Sequence, residues 1–339
     1  MPPSAEPAAL GRDLSVELPK TSAPDPWKVQ RPLVHRLVEL LIHVLAGTAV
    51  LAVGLIFLFV AKEALPLFYS EEVRHEVTLA QMWLAQLWPG YDVADHVWQP
   101  VSDVPKYGLW PLLVGSLKVT LVAMAVATPL GIGAAVWVAE FARPRLRDLL
   151  KPVVELLAGV PSVVLGFFAL IVMASWLQAA LDLDSRLSAL LAGLGLSVAL
   201  VPIIFTMTEE ALGAVPRSYR EASIALGARR STTILRVIIP AAAPGIFAGL
   251  ALGFGRAIGE TMIVLMASGN AAILSWSLTD STRTLPATIA AELAEVVFGG
   301  AHYTVLFFIG ALLFVLTFIV NLAGGYAIER MKRRLGVSR

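Results

Sequence analysis

Long apolar runs separated by short polar segments set the pattern of this chain. Residues 37–60 form the first run. At the helical rise it is about 36 Å long, enough to cross a hydrocarbon core of about 30 Å. It is too long for a signal peptide, and no small-residue cleavage site follows it, so it reads as a retained first span. Further runs cover residues 109–138, 153–177, 187–207, 241–267 and 303–327. Pro129 and Pro202 lie inside the second and fourth, and Gly159-Val160-Pro161-Ser162 interrupts the third. The pattern predicts an all-α, polytopic membrane protein with six transmembrane helices. Residues 1–27, rich in Pro, Ala and Ser, have no apolar period and read as part of a disordered tail over 1–33. The membrane domain then takes up 34–339.

The polar segments differ in character. Residues 61–108 hold Trp83, Trp88 and Trp98, with Trp110 just beyond, and 78–87 suits an interfacial helix because aromatic rings favour the headgroup level. Lys and Arg are distributed unevenly. The N-terminal tail, the turn 143–151, the segment 208–240 and the C-terminus hold 19 of the 26. That excess marks the cytoplasmic side and places both termini inside.

Composition adds exclusions. The chain is 57% hydrophobic and 15% charged, with a mean hydropathy of +0.76, whereas soluble domains average about 25% charged. It has no cysteine, so disulfides and thiolate chemistry are ruled out. No lysine follows a glycine, so there is no phosphate-binding loop of the Gly-Lys-Ser/Thr type and any ATP is hydrolysed by another chain. The five histidines are scattered without ligand spacing, and no triad context supports hydrolysis. No resident cofactor, metal or nucleic-acid partner is expected.

The segment 208–240 is a polar island with Arg217, Arg220, Arg229, Arg230 and Arg236. Residues 217–226 read as a short helix, Gly227 suits the left-handed position that ends one, and Ser231 could cap a second helix running to Pro240. The hairpin therefore turns through a helical elbow. In the fifth span, Arg256 lies about 21 Å deep at helical rise. A charge at that depth costs about 3 kcal/mol on insertion scales and must face protein or water. Glu260, four residues on, falls on the same helix face, and Gly245, Gly249 and Gly253 form a small-residue row for close helix approach. Two readings stay open. The pair could neutralise itself and pin packing, or Arg256 could contact a passing anion while Glu260 balances its charge in the anion's absence. Arg before Glu is the weaker order for a helix pair, which favours the second. Ser162 beside Pro161 either lines a pathway or sits at a packed kink. Lys118 is expected to snorkel outward, and Glu140 and Glu155 to be interfacial.

Two motifs carry a resemblance. Glu221-Ala222-Ser223, Gly227, then Val237, Ile239 and Pro240 resemble the loop by which ABC importer permeases dock on their ATPase, with three conservative departures and intact spacing. Gly255-Arg256-Ala257-Ile258-Gly259-Glu260-Thr261-Met262, followed by Gly269-Asn270, resembles the fifth-span signature of phosphate-specific (Pst) importer permeases, PstC type. The resemblance runs from about residue 34 to the end. It implies a type I ABC importer permease architecture in the bacterial inner membrane. It also implies a PstA-like partner, two ATPase subunits that bind ATP and Mg, and an extracytoplasmic phosphate-binding protein. Arg256 and Glu260 then belong to the phosphate pathway, with Thr261 and Ser162 beside them, and Arg220, Glu221, Ala222, Ser223, Gly227 and Pro240 to ATPase coupling. Importers of sulfate, molybdate or phosphonate are the near alternative, and an intramembrane sensor or enzyme the remote one.

Overall fold

The computed structural model describes residues 33–334. The tail expected over 1–33 lies outside them up to residue 32. The chain forms two units, divided at Leu55 and Ile56. The described part of the first is the leading stretch of helix α1 (Leu33–Ala64), in which residues 35–55 are exposed.

In the second unit α1 ends, and three short helices follow, α2 (Pro66–Tyr69), α3 (Glu71–Glu76) and α4 (Leu79–Trp83). The helix expected over 78–87 is the five-residue α4. Thr78 caps it, with Gln81 completing a reciprocal capping box, and Leu84 is already extended. Strands β1 (Trp98–Gln99) and β2 (Lys106–Tyr107) pair antiparallel.

Among the described residues, six helices are long and apolar enough to cross a membrane. The third and fifth spans differ most from the sequence expectation. Residues 144–158 form a separate amphipathic helix, α6 (Pro144–Ala158), and the third span starts only at Ser162. It comprises α7 (Ser162–Phe168), a π-helical stretch, and α8 (Ala174–Leu181). Pro161 therefore stands at a helix start and not inside a kinked helix. The fifth span ends at Gly259, because backbone at Glu260 turns extended.

The axis of the bundle is α9 (Ala189–Gly213), where Leu191, Leu196, Leu200 and Ile204 are fully buried. Helix α5 (Trp110–Glu140) packs against it at Gly193, where an added Cβ would stand 2.5 Å from Val122 Cγ1. Helix α12 (Ile239–Gly259) packs against it through the predicted glycine row. Gly245 meets Ala211, Gly249 meets Met207 and Gly253 meets Ile204. The elbow comprises α10 (Arg217–Ala225) and α11 (Arg230–Thr233). Beyond α12 come α13 (Met262–Ala267), α14 (Leu285–Glu292) and α15 (Ala301–Arg334).

Candidate functional site: a broken fifth span and its elbow

Helix α12 stops one turn after Arg256. The Glu260 N–H still reaches back to Ala257 O at 3.3 Å, but its ψ of 129° ends the helix. Helix α13 then starts afresh, and Glu260 Oε1 accepts the backbone N–H groups of Met262 at 3.1 Å and Ile263 at 3.3 Å. The carboxylate is thus used on orphan donors of α13, as a capping side chain is. Arg256 and Glu260 therefore do not share a continuous helix face. The ion pair considered for them is not formed, and among the described residues the Arg256 guanidinium makes no hydrogen bond or ion pair.

Arg256 is exposed, on a stripe with Leu252 and Gly259 that runs alongside the glycine row. Nothing in this chain covers that stripe among the described residues. Thr261 is half-buried, and its hydroxyl donates to Gly259 O at 3.3 Å, across the break. Ser162 is the first residue of α7. One turn further along α7, Gly166 lies against Met262, Ile263 and Met266 of α13. The structure thus places α7 beside the break, with Ser162 half-buried at its start.

The elbow forms as its turn residues dictate. Gly227 takes φ +79°, and its N–H and that of Ala228 close on Ile224 O and Ser223 O, the hydrogen-bonded stop of a left-handed helix end. Arg229, not Ser231, precedes α11, whose N-terminus has no side-chain cap. The second arm does not end at Pro240. A π-helical stretch carries α11 directly into α12, giving one 30-residue helix, Arg230–Gly259, with Pro240 in the first turn of its α-helical part.

The coupling residues divide between two faces. Arg220 turns inward and makes a two-pronged bond to both oxygens of Glu140, at the end of α5. Arg230 donates to the Glu140 main-chain carbonyl and lies over the Phe141 ring. Ser223 is buried, its hydroxyl 2.9 Å from that of Thr233, and ties the two arms together. Glu221 and Ala222 face out, beside Ile224 and a Leu226 that is 89% exposed. Pro240 lines a cavity of about 490 Å³ with Tyr219, Arg236 and Lys332.

Two charged residues stand differently from expectation, and a third has a role that the sequence did not show. Glu140 is not interfacial but buried, because the Arg220 fork satisfies it. Lys118 does not snorkel. It is buried and donates to Ser277 O at 2.9 Å, so a loop carbonyl replaces water. Glu209, near the end of α9, is buried and held by Arg147 and by Lys151 at 2.9 Å, both from α6. Sequence reasoning treated the basic turn only as a topology signal and missed this clamp. At the opposite end of the bundle, Glu292 accepts Trp98 Nε1 at 3.1 Å, Arg283, and His302 Nε2 at 2.9 Å. Burial alone raises the Glu292 pKa. Hydrogen bonds from His302 and Trp98 and the charge of Arg283 outweigh that, and hold it below the usual carboxylate range.

A helical membrane bundle with a two-helix elbow between its fourth and fifth spans is the architecture of the type I ABC importer permeases. Residues 127–333 match the family described as binding-protein-dependent transport system inner membrane component, and the chain belongs to that family. Among its relatives, the "Probable ABC transporter permease protein YqgH" of Bacillus subtilis is 36% identical, over 69% of this chain and 76% of that protein. The "Phosphate transport system permease protein PstC" of Mesorhizobium japonicum is 33% identical, over 70% of this chain and 78% of that protein. Similar folds occur among solved structures. A bacterial alginate ABC transporter superposes with a TM-score of 0.55 at 13% identity, covering 86% of this chain and 94% of that one. The MetNI methionine ABC transporter, in inward facing form, gives 0.50 at 20% identity, covering 66% and 94%.

Proposed function

We propose that this chain is the PstC-type permease subunit of an ATP-driven phosphate importer in the bacterial cytoplasmic membrane. It has both termini inside, residues 34–339 as the permease domain and 208–240 as the coupling loop. The observation that carries the reading is the Arg256 guanidinium, exposed and without a protein counter-ion, one turn before a break in a membrane-spanning helix. A cation at such depth is tolerated only toward protein or water, and irregular backbone only where it lines a cavity or is covered by protein. The uncovered stripe of α12 is therefore the side facing a PstA-like subunit and the conduit between the two. The planar fork of arginine suits the oxygens of phosphate. Because Glu260 is engaged with α13, no carboxylate has to be displaced when the anion arrives.

Inward movement of an anion opposes the membrane potential by about 2.3 kcal/mol per charge per 100 mV, which disfavours passive entry and is consistent with coupling to ATP. The two ATPase subunits bind ATP and Mg, and an extracytoplasmic phosphate-binding protein delivers the substrate. The outward residues Glu221, Ala222 and Leu226 meet an ATPase subunit. The inward residues Arg220, Ser223 and Arg230 bind the elbow to α5 and to its own second arm. Since Arg230–Gly259 is one helix, displacement of the elbow moves Arg256 directly.

Uptake of radiolabelled phosphate by cells that depend on this system tests the substrate. Phosphate uptake resistant to excess sulfate, molybdate and phosphonate is expected. Uptake abolished by one of these would transfer the function to that oxyanion.

A further inference from the structure

Helix α6 has three faces about 120° apart at the 100° step of a helix. Arg147, Leu150, Lys151 and Val154 face the bundle. Leu150 and Val154 pack around Ala135, Val138 and Phe205, and the two cations clamp Glu209. Arg145, Asp148, Pro152 and Glu155 form an exposed polar face. The third face is an unbroken apolar stripe, Leu146, Leu149, Val153, Leu156 and Leu157. All five are exposed, Leu149 at 62% and Leu156 at 74%.

Five neighbouring aliphatic side chains on one helix face need a cover. The fold indicates which. Residues 141–143 join α6 to the end of the second span and residues 159–161 join it to the start of the third. Both ends are therefore held at the membrane surface. The stripe is flanked at its N-terminal end by Arg143 and Arg145, which make no ion pair among the described residues. The acids Asp148 and Glu155 lie on the polar face, away from the stripe. A helix with an apolar stripe, free arginines at its edge and acids turned to water matches a lipid surface, with acyl chains under the stripe and headgroup phosphates at the arginines.

We infer that α6 is an interfacial helix embedded in the leaflet on its side of the membrane, which attaches α9 to the lipid surface through the Glu209 clamp. The leaflet then restrains the cytoplasmic end of the bundle next to the elbow.

The absence of cysteine permits a direct test. Nitroxides are placed singly at Leu149→Cys, Val153→Cys, Leu156→Cys, Asp148→Cys and Glu155→Cys in the full chain, in bilayers containing the assembled transporter. All five sites are exposed, so failure of one variant to assemble leaves the pattern readable. Collision with oxygen, which partitions into lipid, and with a water-soluble nickel chelate is measured by power saturation. The expected result is a severalfold higher oxygen-to-nickel ratio at 149, 153 and 156 than at 148 and 155. Free access of the nickel chelate to the stripe would overturn the inference in favour of water. Exclusion of both agents would overturn it in favour of a protein surface.

Discussion

Arg220→Ala should uncouple the elbow from the second span. The Glu140 side chain is 2% exposed and the Arg220 side chain 32%. Removing one partner of a fully buried pair costs about 3–5 kcal/mol, and an exposed pair is worth about 0–1 kcal/mol. A pair with one member buried and the other a third exposed falls between, at about 2 kcal/mol. Arg230 does not compensate, because it bonds to the Glu140 main chain and not to its carboxylate. At 1.4 kcal/mol per tenfold change, the attached state of the elbow falls about thirtyfold relative to the detached state. The assay is phosphate uptake alongside ATPase activity in proteoliposomes of the assembled transporter. Uptake per ATP hydrolysed should drop by an order of magnitude in Arg220→Ala and in Glu140→Ala. The double variant should be little worse than either, since both single changes break the same bond. Multiplying losses, or full coupling in Arg220→Ala, would refute the reasoning.

Two further outcomes follow from the packing and the charge network. Gly249→Leu should destabilise the chain by about 1–3 kcal/mol through overpacking, because even an added Cβ would stand 2.7 Å from Met207 Cβ. Gly259→Ala, with open space around it, should not. Thermal melting followed by size-exclusion chromatography separates the two. For Glu292 the folded pKa lies below the unfolded value, so its stabilisation is complete above the ordinary carboxylate range and is lost as pH falls through the depressed value. Melting temperature should therefore fall more steeply below about pH 4.3 in the parent than in Glu292→Gln. Identical profiles would exclude the network as a source of acid sensitivity.

Much of this was readable from local pattern. The six apolar runs, the glycine row of α12 and the stop at Gly227 depend on neighbours three or four residues away, which a sequence displays. The fifth-span break was hidden because Met262–Ala267 continues the apolar run, and nothing local shows that Glu260 will cap α13 and leave Arg256 unpaired. The start of the third span is masked in the sequence because the apolar face of α6 merges with the run that follows. The clamps Glu140–Arg220 and Glu209–Lys151 join residues 80 and 58 positions apart. Sequence supplies the charges but not their pairing, so locally Glu140 and Arg147 look like boundary residues.

The proposed route for phosphate requires above all that Arg256 touch the transported anion. The most direct measurement is phosphate uptake by Arg256→Gln in a cell relying on this system, with co-purification of the ATPase as the control for assembly. Loss of uptake in a transporter that still assembles is predicted, and unchanged uptake in that variant would contradict the account.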